Sequence, residues 1–154
     1  MVVADIGAGT GYFVPHLSAA LGDGGRVLAL DVEPNMVRHM EERISEAGLT
    51  NAEARVVPTD SPGLEAASVD RILIVNTWHH ISERGAYAAK LREALKPGGF
   101  VLVVDFDADS PHGPPPEMRL AAETVAAELQ AGGFVTEIEA DALSYQYLVF
   151  GRLP

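Results

Sequence analysis

The segment VADIGAGTGYF, residues 3–13, decides the architecture. An apolar run reaches Asp5, glycines then alternate with small residues, and an aromatic pair opens a helical pattern. Residues without a Cβ permit unusual φ angles and close approach of a ligand to the backbone. In an open parallel sheet, ligands collect beyond the carboxyl ends of the strands, near the switch in strand order. Gly7, Gly9 and Gly11 stand at such an end. Asp31 closes the next β-branched run twenty residues after Gly11, well placed for its carboxylate to accept both hydroxyls of a ribose. Small residues would also serve tight helix-on-sheet packing, but the placement of Asp31 favours a ligand.

The ligand is not expected to be a dinucleotide. A nicotinamide fingerprint wants G-x-G-x-x-G, whereas the spacing here is G-x-G-x-G and Tyr12 takes the place of the third glycine. Asp5 lies two residues before the first glycine. A carboxylate there would repel a pyrophosphate but suit an ammonium group, so the turn points to a cationic nucleoside.

Composition sets the frame around this turn. The 154 residues are 47% hydrophobic with mean hydropathy +0.10, the profile of one globular domain able to bury a core. There is no cysteine, which excludes disulfides, thiolate metal sites and a cysteine nucleophile, and fits a cytoplasmic location. Twenty-two acids against eleven bases give a net charge of −11, a surface that repels phosphate backbones; no nucleic-acid partner is expected. No apolar run approaches the roughly 20 residues of a membrane span, and no membrane partner is expected.

Strand and helix patterns alternate along the chain. MVVADI reads as a strand, followed by a helix with Phe13, Leu17 and Leu21 on its core face and Pro15 in its first turn. GRVLALDV is a second strand, and a helix from Pro34 turns Met36, Val37, Met40, Ile44 and Ala47 inward before Gly48 stops it. AEARVVPTD and VDRILIVNTW are the third and fourth strands. A helix over residues 82–95 ends at KPGG, followed by strand FVLVVDF. A Pro/Gly-rich loop, DADSPHGPPPE, leads to helix MRLAAETVAAELQAGG and to strands FVTEIEA and SYQYLVFGR. This alternation predicts an α/β fold with a mostly parallel sheet. The short DAL link between the final strands predicts an antiparallel hairpin at one edge.

Four ordered stretches carry a family resemblance. VADIGAGTGYF, VLALDVEPNMV, VVPTDSPGLEAASVDRILIVNTWHHI and LREALKPGGFVLVVDF resemble the successive motifs of class I S-adenosylmethionine-dependent methyltransferases, at that family's spacing, over roughly residues 2–107. The resemblance implies a three-layer Rossmann-like methyltransferase fold over residues 1–154, with a seven-stranded sheet closed by the antiparallel hairpin. It implies S-adenosylmethionine as cofactor. Asp5 and the backbone of Gly7, Ala8, Gly9, Thr10 and Gly11 would hold the methionine moiety, Asp31 the ribose, and Met36 a face of the adenine. Asp60 would accept from the adenine amino group with Ser61 beside it, and Asn76 would border the sulfonium. Each has a plainer reading: Asp60 as a turn former before Ser-Pro, Met36 as a core residue at helical spacing. Glu33 stands where relatives often carry a serine cap, and an acid there still suits a helix N-terminus.

The implied reaction is in-line displacement of the sulfonium methyl by a nucleophile on a small-molecule acceptor. The donor is already activated, so alignment and desolvation can supply most of the rate. His79 and His80 follow the fourth strand on the expected substrate side; a structural role is expected for them, and neither is assigned to catalysis. The fourth strand does not carry the (Asp/Asn/Ser)-Pro-Pro-aromatic signature of amide and adenine N-methylation. Asp105, Asp107 and Asp109 alternate without the Asp-Asn pair of magnesium-dependent relatives, so these acids are expected to be solvated and no metal is expected. Trp78 and residues 110–116 are open to two roles, lining an apolar pocket or packing. The competing reading is a methyltransferase-like binding module or partner subunit without its own turnover. Class members usually carry helices before the glycine strand, yet Met1 is already in that strand. This leads to the expectation of an open site that binds cofactor, turns over slowly and favours a homodimer.

Overall fold

The computed structural model describes residues 1–154. In chain order the elements are β1 (Val2–Ile6), α1 (Val14–Leu21), β2 (Arg26–Asp31), α2 (Pro34–Glu46), β3 (Ala52–Val56), β4 (Val69–Val75), α3 (Arg84–Ala94), β5 (Leu95–Phe106), α4 (Ala122–Ala131), β6 (Val135–Leu143) and β7 (Gln146–Arg152). The seven strands form one sheet in the order β3-β2-β1-β4-β5-β7-β6. Strands β1 to β5 pair in parallel, and β7 runs antiparallel between β5 and β6. The chain starts at mid-sheet, steps outward to β3 and returns to β4 on the other side of β1. That reversal opens a crevice at the carboxyl ends of β1 and β4. The sheet is the expected Rossmann-like methyltransferase sheet with its antiparallel close.

Periodicity explains which faces are covered. Ile72 and Ile74 of β4 and Val101 and Val103 of β5 point to one side and are buried under α3 and α4. Tyr87, Ala88, Leu91 and Ala94 of α3 and Val125, Ala126 and Leu129 of α4 repeat at three and four residues, the stripe a core-facing helix needs. On the opposite side α1 and α2 close a smaller cluster of Val14, Val27, Ala29, Val37, Met40 and Ala54. On that same side Leu73 and Val75 of β4, Phe100 and Leu102 of β5 and Leu148 and Phe150 of β7 are half-buried and belong to neither cluster. The Arg71 guanidinium lies 4.5 Å over the Phe100 ring, and Arg152 lies 5.2 Å over both phenyl rings. Arginine stems thus cover part of this apolar face while their charges stay wet. Edge strand β6 carries exposed Glu137, Glu139 and Asp141, which discourage further strand pairing.

Several boundaries differ from the sequence reading. Helix α1 begins at Val14 after a turn, so Val14 and Ser18 form its buried face while Phe13, Leu17 and Leu21 are half-buried. In α2, Val37 and Met40 are buried, Ile44 is half-buried, and Met36 and Ala47 are exposed. KPGG does not precede β5 but lies inside it: Leu95 pairs with Val69, Phe100 with Arg71, and a bulge absorbs the extra residues. Gly99 fits there because an added Cβ would meet the carbonyls of Lys96 and Asp70 at 2.8 and 2.9 Å. DAL belongs to β6, and the turn is Ser144–Tyr145, with Tyr145 at φ +67°. Trp78–His80 form a 3-10 turn rather than the end of β4, and Pro116–Met118 form another before α4.

Candidate functional site

The glycine turn is held from two sides. Leu30 of β2 accepts from the backbone N–H groups of Gly7 and Ala8 at 2.8 and 3.0 Å. The Asp31 carboxylate accepts from Gly9 N–H at 2.9 Å with Oδ2 and from Glu33 N–H at 3.0 Å with Oδ1. Asp31 therefore ties the turn to the start of α2, and each oxygen keeps a lone pair for a further donor.

The three glycines at positive φ serve different ends. At Gly7 a Cβ would overlap the Thr77 side chain, and at Gly11 it would meet Met40 Cγ at 3.1 Å. Those two are small because protein packs against them. A Cβ at Gly9 would meet nothing within 4 Å, at φ +59°. Gly9 thus borders open space.

Next to the turn lies a cleft of about 290 Å³, with Ile6, Gly7 and Asp31 on one wall and Val57, Pro58, Thr77 and Ile81 among the residues of the others; Gly9 itself is not one of its lining residues. A neighbouring hollow of about 310 Å³ shares Thr59, His80 and Tyr87 with it, so the two form one groove along the carboxyl ends of β1 to β4. The combined size falls in the usual range for small-molecule sites. Thr10 and Gly11 instead line a small crevice of about 70 Å³ between α1 and α2.

Asp5 sits beneath the turn and is 2% exposed, and its Oδ2 has no hydrogen-bond partner. Burial, and then the charge of Asp31, push its carboxyl up to about 7. An unpaired buried carboxylate is a poor arrangement for stability and a good one for a cation brought near it.

The remaining residues singled out from the sequence are more dispersed. Met36 is 40% exposed at the start of α2, which removes the core reading. Asp60 lines the second hollow with an 83% exposed side chain, and Lys90 Nζ donates to its backbone carbonyl at 2.6 Å. Ser61 Oγ accepts from Gly63 N–H at 3.2 Å, closing a local turn. Asn76 follows β4 at φ +53° and its side-chain oxygen accepts from Gln146 Nε2 at 2.7 Å; it is not itself among the cleft-lining residues, though the next residue, Thr77, is.

Trp78 is a packing residue: it is fully buried and meets Tyr87 edge-on at 6.3 Å between ring centroids. The expected solvated acids require one correction. Asp105 is buried, and both its oxygens lie at 2.9–3.0 Å from His79 Nδ1. Of residues 110–116, only Pro116 lines a sizeable hollow, and it is a different one, beside α4 and β7. The loop after β5 is strapped down by Arg119, whose guanidinium donates to the carbonyls of Asp107, Ala108, Ser110, His112 and Pro114. Neither the His79–Asp105 pair nor this strap was found from sequence. The alternation of Asp105, Asp107 and Asp109 concealed that only the first is on the covered face.

Comparisons with known proteins agree with this fold. The methyltransferase domain family matches residues 3–99. The Shewanella halifaxensis ubiquinone/menaquinone biosynthesis C-methyltransferase UbiE is 28% identical over 158 aligned residues, covering 96% of this chain and 57% of that protein. The chain thus spans little more than half the length of that relative. A SAM-dependent methyltransferase from Aquifex aeolicus superposes with TM-score 0.94 at 28% identity, covering 100% of this chain and 82% of that one. The Haemonchus contortus phosphoethanolamine N-methyltransferase 2, solved in complex with S-adenosyl-L-methionine, shares the fold at TM-score 0.83 and 16% identity, covering 100% of this chain and 49% of that one.

Proposed function

From the premise that the chain belongs to the methyltransferase domain family, we propose that it transfers a methyl group from S-adenosylmethionine to a small-molecule acceptor. S-adenosylmethionine is the cofactor, and the residues present fit it. The observation that carries the reading is the pairing of Gly9, where the turn leaves open space against its backbone, with the unpartnered buried carboxylate of Asp5. The first leaves room for a ligand against backbone, and the second wants a positive group nearby. When bound, the cofactor supplies an activated methyl group that needs no further activation by the protein.

The chain's own residues then bind and orient. Asp5 offers its charge to the ammonium of the methionine moiety, with the backbone from Gly7 to Gly11 alongside. The free lone pairs of Asp31 suit the ribose hydroxyls. Met36, Asp60 and Ser61 are the residues proposed for the adenine, and Asn76 for the reacting end. Val57, Pro58 and Ile81 give the groove part of an apolar lining. A small-molecule acceptor accords with the quinone-biosynthesis role in the name of the Shewanella relative.

Asp31→Ala tests the ribose assignment. Charge-assisted hydrogen bonds are worth about 1.5–3 kcal/mol, so calorimetric affinity for S-adenosylhomocysteine is expected to fall by about that much. Because Asp31 also ties the turn down, thermal stability without ligand is expected to drop by about 1 kcal/mol. Affinity that stays at the wild-type level sinks the assignment. S-adenosylhomocysteine binding with no response to NADH is the expected outcome for the family reading as a whole; NADH binding overturns it.

A further inference from the structure

Three consecutive residues after β4 point three ways. The 3-10 turn Trp78–His80 sends Trp78 into the core and His80 to the cleft. His79 turns onto Asp105 at the end of β5, and both side chains are 3% exposed. Asp105 holds the imidazole at Nδ1 and also accepts from Phe106 N–H at 2.9 Å. A carboxylate can only accept, so the proton between them belongs to Nδ1 and the lone pair lies at Nε2. Nε2 makes no hydrogen bond, yet it is not among the buried polar atoms left without a partner, so its edge still meets solvent. Burying a carboxylate and an imidazole together is costly unless the pair is well satisfied, and a purely structural contact could be apolar. The His80 ring lies tilted by 45° against that of His79, 4.1 Å between centroids, and it is His80 that lines the cleft.

We propose that His79 is the base that takes the acceptor's proton, and that the acceptor is a hydroxyl or amine compound, which near neutral pH holds its proton where a thiol already ionises in part; this rests on the methyl-transfer reading above. The pair lies at the carboxyl ends of β4 and β5, one strand over from the cleft edge formed by Gly7 and Thr77. In the step itself the O–H bond of a hydroxyl acceptor, or one N–H bond of an amine bound as its ammonium ion, breaks and the proton forms a new N–H bond at His79 Nε2. The electron pair stays on the acceptor atom, which becomes the nucleophile. Asp105 acts as a positioning residue: it fixes the tautomer and stabilises the imidazolium until the proton passes to water.

The test compares His79→Ala and His79→Asn with wild type. Asparagine can still donate an N–H to Asp105 but has no atom in place of Nε2. S-adenosylhomocysteine release is measured with 1,4-dihydroxynaphthalene, catechol, ethanolamine and 2-mercaptoethanol as probe acceptors. The expected result is turnover of at least one hydroxyl or amine probe, with kcat lower by about 100-fold or more in both variants, the usual worth of a general base. S-adenosylhomocysteine affinity and thermal melting of the asparagine variant are expected to stay near wild type. The rising limb of the wild-type pH–rate profile is expected to vanish in that variant. In ¹⁵N-histidine-labelled protein, His79 is expected to carry its proton on Nδ1. Activity retained by His79→Asn, turnover of the thiol alone or of no probe, or a proton on Nε2 overturns the proposal. Loss of S-adenosylhomocysteine binding by the wild-type chain would instead overturn the reading on which it rests.

Discussion

Gly9→Val is expected to abolish S-adenosylhomocysteine binding while the fold stands. At Gly9 the protein itself leaves the space empty, so a side chain there meets no other residue. The cost to the unliganded chain is that of placing a β-branched residue at φ +59°, about 1–2 kcal/mol, or a few degrees of melting temperature at this chain length. The ligand suffers far more, because two methyl groups would occupy room that a cofactor against this backbone needs. Affinity is expected to fall by about 100-fold or more, as steric exclusion removes the whole set of contacts at the turn. Gly7→Ala is the contrasting case. Its Cβ would overlap Thr77 at φ +71°, so that variant is expected to melt early whether or not ligand is present. Calorimetry and thermal melting on both variants separate ligand approach from packing. A Gly9→Val protein that binds normally would show that the open side of the turn faces no cofactor.

How far these features were legible in the sequence depended on their range. The glycine turn, Asp31 and the strand–helix alternation are local patterns, and the sheet follows from them once the connections are right-handed and short. The edge hairpin was legible for the same reason, although its turn lies at Ser144–Tyr145 rather than at DAL. Sequence could not separate Gly9 from Gly7 and Gly11, because what distinguishes them is Thr77 and Met40, both distant in the chain. Nor could it see that Asp105 is buried while Asp107 and Asp109 are not. The strand ends at Phe106, and only Asp105 shares the covered face with Val101 and Val103, where His79 reaches it. The bulge that draws KPGG into β5 was hidden likewise, since it is set by pairing with Val69 and Arg71. Pair relations across the sheet carry the chemistry, and periodicity along one strand does not report them.

Asp5→Asn is expected to stabilise the unliganded protein and to weaken cofactor binding. The carboxyl titrates near 7 in the fold, raised from 3.8 by burial and then by Asp31. The folded state therefore holds a proton that the unfolded chain has released, and stability rises as pH falls. The penalty for the buried charge is fully present above pH 7, shrinks through the window between about 7 and 4, and is gone below the unfolded value. Asparagine keeps the shape and drops the charge, so at pH 8 the variant is expected to be more stable by about 2–4 kcal/mol, a difference that fades toward pH 4. Cofactor binding should run the other way. An ammonium group beside Asp5 needs the ionised form, so wild-type affinity for S-adenosylhomocysteine is expected to level off above pH 7 and to fall about tenfold per unit below it. The variant, with no proton to lose, is expected to bind weakly at every pH. Denaturant unfolding and calorimetry across pH 5–8 read both effects. Asp5 would thus be destabilising in the empty protein because it is matched to the charge of the occupied one. An Asp5→Asn protein that is no more stable at pH 8, yet binds with wild-type affinity, would show that this carboxylate faces no cation.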